Sequence, residues 1–191
     1  MAGIVGLTEL QHTNGTSAAT INTSGVVDFS NPPTGVIKSG TIIESTSGTA
    51  VDFTGIPTTN VQNITVLLSS VSTTGNSNLL LQLGHSGGFE TSGYLGTIGN
   101  TGGGILVTSG VGITYSINNT YSTHSQLTCW LVDPSTNTWS ISSLGSGSVG
   151  GVTYFGTFSK SLSAPLDKVR VTATNGTDTF DAGKIVLRYA G

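Results

Sequence analysis

VRVTATNGTDTFDAGKIVLRY, residues 169–189, decides how the rest of the chain is read. In its first part Val169, Val171 and Ala173 alternate with Arg170, Thr172 and Thr174. In its last part Ile185, Leu187 and Tyr189 alternate with Lys184, Val186 and Arg188. A period of two places every second side chain on one face, the mark of a strand with one dry side. Asn175-Gly176 between the two parts is a strong hairpin signal, because both residues tolerate the positive φ of a tight turn. The stretch also holds Asp178 and Asp181, so it could be a metal loop, a catalytic carboxylate pair or a corner. Residues three apart in an extended strand point to opposite faces, so these carboxylates do not converge. A calcium site takes about six to eight oxygens, usually from closely spaced acids, and no DxDxDG-like run exists. The expectation is a hairpin corner, with Gly183 permitting a bulge and the carboxylates capping turn amides or facing water.

The same period recurs upstream. In GVGITYSIN (110–118), Val111, Ile113, Tyr115 and Ile117 fall on one face, and Gly112, Thr114 and Ser116 on the other. Further strands are expected at 50–53, 63–71, 79–84, 126–132 and 138–142. No dozen residues place apolar positions at helical spacing, so almost no helix is expected. DPSTN (133–137) opens with Asp-Pro, which presets a type I turn and reads as a hairpin between QLTCWLV and TWSIS. STTGNSN (72–78) is expected to join its neighbours in the same manner. Many short strands with turns every 8 to 12 residues or so predict an all-β antiparallel sandwich, jelly-roll-like. Residues 1–38 differ: SNPPTG (30–35) cannot lie within a central strand. They are expected to form an extended N-terminal attachment and oligomerisation arm, and residues 39–191 the β-sandwich domain.

Composition removes several functions. Charged residues are 8% of the chain, against roughly a quarter in an ordinary soluble domain. Glycine, serine and threonine together exceed two fifths, yet β-branched and aromatic residues recur throughout, which separates the chain from disordered sequences. Net charge is −3, and Lys38 is the only basic residue before Lys160, so no nucleic-acid partner is expected. No apolar run approaches the ~20 residues of a membrane span. The start, MAGIVGLTELQHTNG, lacks the basic and long apolar regions of a signal peptide. Cys129 stands alone inside TCWLV and is expected to be a buried, inert thiol. Sequons at Asn14, Asn22, Asn63, Asn118 and Asn175 arise by chance in so Ser- and Thr-rich a chain.

Three motifs imitate active sites. GHSGG (84–88) fits G-x-S-x-G and is similar to the GDSGG of chymotrypsin-like proteases. A nucleophile elbow needs a strand before it and a helix after it; LLLQL supplies the strand, but FETSGYLG offers no helix. Ser86 is therefore not expected to be a nucleophile, and His85 is expected to mark a loop. His12, His85 and His124 lack ligand spacing for zinc. GNTGGG (99–104) has no following lysine or helix to hold a phosphate and is expected to be a turning loop. A polysaccharide hydrolase would want two carboxylates ~5 to 9.5 Å apart, and none of the nine acids is obviously paired. No enzyme, catalytic residue, metal or cofactor is expected.

SGTAVDFTGIP, ITVLLSSVSTTGNSNLLLQLG, GGFETSGY and LDKVRVTATNGTDTFDAGKIVLRY together resemble a β-domain found near the C-termini of bacteriophage tail-fibre and other virion proteins. The resemblance spans roughly residues 39–191, and its last block is the most specific. QHTNGTSAATINTSGVV resembles an "HSNGTSAMTIDSSGRV"-type segment of marine and cyanophage structural proteins, departing at Asn22 and Val26-Val27, where many relatives carry Asp and Arg-Val. The resemblance implies a non-enzymatic bacteriophage component on the virion surface: a homotrimer, held to other tail, baseplate or capsid proteins through the arm. Two roles follow as expectations. One is a short fibre or fibre tip serving host attachment, with receptor binding to a host glycan or protein through loops 86–104 and 118–125, where Phe89, Tyr94 and Tyr121 are candidate contacts. The other is capsid decoration, as a cement or head-fibre protein with a mechanical task.

Overall fold

Residues 9–11, 17–21, 23–24, 27–29 and 37–190 are described by a computed structural model. They contain sixteen strands and no helix. β1 (Glu9–Gln11), β2 (Ser17–Ile21) and β3 (Val27–Phe29) form a small antiparallel sheet in that order. The segment expected as an extended arm thus contains a meander.

Ile37–Ala190 is a compact unit of its own. Its strands are β4 (Ile37–Glu44), β5 (Ala50–Thr54), β6 (Asn63–Thr73), β7 (Leu79–His85), β8 (Gly88–Phe89), β9 (Leu95–Asn100) and β10 (Gly103–Leu106). They continue with β11 (Val111–Gly112), β12 (Thr123–Asp133), β13 (Thr138–Gly147), β14 (Thr153–Ser161), β15 (Lys168–Ala173) and β16 (Phe180–Ala190). The eight-stranded sheet runs β10-β9-β14-β13-β12-β6-β16-β4, and the second runs β11-β7-β15-β5, with β8 also on β7. All pairings in both are antiparallel. The two sheets form a β-sandwich, as the alternation predicts. The division expected at residues 38/39 falls inside β4, because Ile37 pairs with Ala190.

Alternation builds the core. Along β12 the inward Leu127 and Cys129 are buried, while Gln126 and Trp130 face out. Ile64, Val66, Ile141 and Ile185 join them from the same sheet, facing Phe53, Leu81, Val169 and Val171 of the other. Each such large side chain contributes roughly 1.5–3 kcal/mol when buried. β7 reads as a continuous apolar run because it is covered on both faces. Ser109 lies over its outer side, taking a 3.1 Å hydrogen bond from Gln82 Nε2, and Leu80 and Gln82 are buried there. Burial pushes the Cys129 thiol pKa up to about 12.

The DPSTN turn joins β12 to β13 as expected; Asp133 Oδ1 accepts from Ser135 N at 2.8 Å, and Asn137 closes the turn at φ 50°. Two other expected hairpins are corrected. The turn at Asn175-Gly176 forms, with Gly176 N donating to Ala173 O at 3.0 Å. It leads, however, from β15 in one sheet to β16 in the other. STTGNSN likewise carries the chain from β6 across to β7. The reason is occupancy: β15 already has β5 and β7 on its two edges, so β16 has no edge there to pair with. GVGITYSIN is also shorter than its alternation suggests. The strand stops at Gly112 because Ile113 N and Thr114 N both donate to Leu79 O, and Thr114 is buried with its hydroxyl accepting from Leu79 N at 2.8 Å. Ser116 then turns the chain away at φ 56°. Gly183, at φ 98°, does sit in a bulged part of β16. A Cβ there would lie 2.5 Å from Ser70 O, so only glycine fits.

Candidate functional site

The three aromatic candidates separate. Tyr94 is fully buried, so it is not a surface contact. Its hydroxyl accepts from Leu83 N at 2.7 Å and donates to Glu90 O at 3.0 Å, and burial raises its pKa. Phe89 lies on β8 with the Arg170 guanidinium 4.1 Å from its ring centroid. Arg170 also holds Asp52 on the neighbouring strand through two bonds of 2.7 and 2.8 Å. Tyr121 is half-buried and ends a turn, its N–H donating to Asn118 O at 2.9 Å.

A cluster without a sequence motif forms around Glu90. Lys160 Nζ is 2.5 Å from Glu90 Oε2 and donates to Ser92 O at 2.9 Å, beneath the Tyr94 ring. Glu90 Oε1 accepts from Ser163 N at 2.8 Å and from Ser163 Oγ at 2.9 Å, and His85 Nε2 is 2.8 Å from the same hydroxyl. Burial works to raise the Glu90 pKa, but the Lys160 bond, both Ser163 bonds and the Lys160 charge bring it down to about 2.

Ser, His and Glu side by side have the composition of a hydrolase triad, but not its wiring. His85 Nδ1 accepts from Gly87 N at 2.9 Å, which the hydrogen-bond network therefore assigns as the unprotonated nitrogen of the neutral ring. Nε2 then carries the proton and cannot take one from Ser163, as a general base must. The cluster braces β7, β8 and the residues after β14. Ser86 sits in the two-residue turn between β7 and β8, so GHSGG is a hairpin tip.

Asp178 and Asp181 part company as the spacing implies. Asp178 accepts from Ser77 N at 3.0 Å and from Asn175 Nδ2 at 2.6 Å, tying the two inter-sheet corners together. The Asn175 bond, followed by the Ser77 bond, lowers its pKa. A Cβ on Gly75 would land 2.1 Å from that carboxylate, so glycine is required beneath it. Asp181 instead accepts from the Ser72 hydroxyl. Among the described residues no three His, Cys, Asp or Glu side chains converge as metal ligands.

The outward face of the eight-stranded sheet carries the feature that motif reading misses. Directly paired residues share a face. Phe155 pairs with Leu144, Leu144 with Gln126, Gln126 with Leu67, Leu67 with Val186 and Val186 with Ile42. One nearly apolar row thus crosses six strands. The next row is hydroxylic, Thr97, Thr157, Ser142, Thr128 and Thr65, until it reaches Arg188 and Ser39 at the β16–β4 edge. A third contains Leu95, Trp130 and Ile37. Phe155, Trp130, Leu144 and Ile42 are 49–61% exposed. β6, β9, β10 and β13 carry no Lys, Arg, Asp or Glu.

No family model matches the chain, and no curated protein sequence matches it. A solved structure described as "Crystal structure of human SPRY domain" overlays with a TM-score of 0.30 at 10% identity, covering 89% of this chain and 94% of that one. Nothing about the present chain follows from an overlay at that level.

Proposed function

We propose that the chain is a non-enzymatic structural protein of a bacteriophage particle, a short fibre or fibre-tip component that works as a homotrimer and meets the host surface. The observation that carries this reading is the outer face of the eight-stranded sheet, apolar and hydroxylic over most of its breadth, with Lys184, Glu44 and Arg188 gathered at its β16–β4 edge. Soluble monomers rarely leave an apolar patch of this breadth open. Six strands ~4.8 Å apart and three rows ~7 Å apart cover about 600 Å² of apolar and hydroxyl surface, somewhat below the ~800 Å² per partner of a standard protein interface. A neighbouring copy suits such a face, since its central strands can be covered with few ions to desolvate; in a homotrimer this face would meet a different patch of the next copy. The resemblance of residues 39–191 to virion β-domains supports the particle setting, and the wiring of the Glu90 cluster supports a role without catalysis.

Sedimentation of the full chain tests the assembly. A stable oligomer is expected, reduced to monomer by Leu144→Glu or Phe155→Glu with the circular dichroism unchanged. A wild-type chain that stays monomeric at high concentration overturns the reading. Imaging purified particles that carry a tagged copy then separates tail from capsid; tags on the capsid shell favour the decoration role.

A further inference from the structure

We propose that Asn175 is a site of spontaneous deamidation in the folded protein, and that its conversion to an acid loosens the two corners that carry the chain between the sheets. The inference concerns the chemistry of one turn and does not depend on where the protein works. Asn175 is followed by Gly176, and both are exposed at the corner between β15 and β16. An asparagine is attacked at Cγ by the backbone nitrogen of the next residue, and a glycine there puts no side chain in the way. Both reacting groups are held in one chain, so the reaction needs no partner but water. The other Asn-Gly pair, 14–15, lies outside the described residues.

The corner holds the amide as the reaction requires. Asn175 Oδ1 accepts from Thr177 N at 3.0 Å and from Asp178 N at 3.1 Å. Two such donors draw electrons from Cγ and stabilise the negative charge that develops on Oδ1 under attack. Asn175 Nδ2 donates to Asp178 Oδ1 at 2.6 Å, so positive charge building on the departing nitrogen forms against a carboxylate. Gly176 N is bonded to Ala173 O at 3.0 Å, and attack waits for that exposed turn bond to open locally. The Gly176 N–Cγ bond then forms, the Cγ–Nδ2 bond breaks, and the Gly176 proton leaves with the nitrogen as ammonia. A cyclic succinimide remains, and water opens it at either carbonyl to aspartate or isoaspartate.

The consequence is set by Asp178. In the native corner it accepts from Ser77 N at 3.0 Å on one side and from the Asn175 amide on the other. Deamidation replaces the second donor by a carboxylate, so two like charges face each other at hydrogen-bond distance with no proton between them. The isoaspartyl product also inserts a methylene into the backbone of the turn. Both changes weaken the hold of the β15–β16 corner on the β6–β7 corner.

The full chain is aged at mildly alkaline pH and cut with trypsin. Cleavage at Arg170 and Lys184 releases residues 171–184, in which Asn175 is the sole amide side chain. That peptide should gain the mass difference between an amide and an acid, with aspartate and isoaspartate both present. Asn175→Gln, whose longer side chain disfavours the ring, should show no gain. An unchanged wild-type peptide overturns the site, the chain aged in urea showing that the conditions suffice. The folded deamidated fraction, separated by the charge it gains, reads the consequence: its urea midpoint should fall by about 0.5 M. Asn175→Asp should reproduce the fall. The exchanged pair, Asn175→Asp with Asp178→Asn, restores one donor and one acceptor and should recover most of it. An unchanged midpoint in the aged fraction, or no recovery in the exchanged pair, overturns the loosening.

Discussion

The two outward faces of the sandwich are built from different chemistry. The five-stranded face is laced with charge: Arg170 bridges Asp52 and covers Phe89, while Lys160, Glu90, His85 and Ser163 interlock beside it. The eight-stranded face has almost none away from its β16–β4 edge, where Lys184 meets Glu44 at 3.0 Å. Both sheets share one core, so the contrast does not come from folding. Charge on the first face is used internally to hold loops, and its lack on the second leaves a surface that a second copy can cover.

The comparison breaks most sharply at Lys160. Lys160→Met strands the Glu90 carboxylate in a largely enclosed site, and breaking such a pair from one side should cost about 2–4 kcal/mol, read by urea unfolding at neutral pH. Acid should do the same more gradually. Because the folded Glu90 pKa lies near 2, below its ordinary 4.5, its contribution is complete above pH 4.5 and is lost as pH falls toward 2. At most about 3 kcal/mol is involved, less after solvent screening; Glu90→Gln should flatten that part of the stability–pH curve.

A smaller effect distinguishes the two aspartates. Asp178→Ala frees the two corners and should cost about 1–2 kcal/mol, while Asp181→Ala, on a solvent-facing strand, should stay within about 0.5 kcal/mol. Least of all, Leu144→Glu on the bare face should move the unfolding free energy of the isolated monomer by no more than about 0.5 kcal/mol. A large loss there would mean that the row belongs to the core and not to an interface.

Much of this architecture is legible in the chain, where one face is wet. The segment at 138–142 alternates plainly because its outward positions Thr138, Ser140 and Ser142 are polar, whereas 63–71 and 126–132 read as strands through their apolar content, with Leu67, Trp130 and Val132 facing out. β14 hides because Phe155 faces out between the inward Tyr154 and Phe158, so the apolar pattern loses its period. Turn chemistry is readable too, but only as far as it is local. Asn175-Gly176 dictates that the chain bends; which sheet it then enters depends on edges already taken by strands distant in sequence. The same limit governs the sites. Tyr94 has the composition of a contact loop around it, yet its ring packs into the core and its hydroxyl accepts from Leu83 N on β7, a contact that exists only once the sheet has formed. The Glu90 brace has no motif, because its members come from connections that meet only after the sheets close.

The sole thiol of this protein is sealed between the sheets. A cysteine introduced anywhere on either surface would therefore be the only one to react with a maleimide in the native state. Single fluorophores or spin labels can be placed along the Phe155–Ile42 row without first removing a native cysteine, and distances between labels on separate copies would show whether copies meet along it.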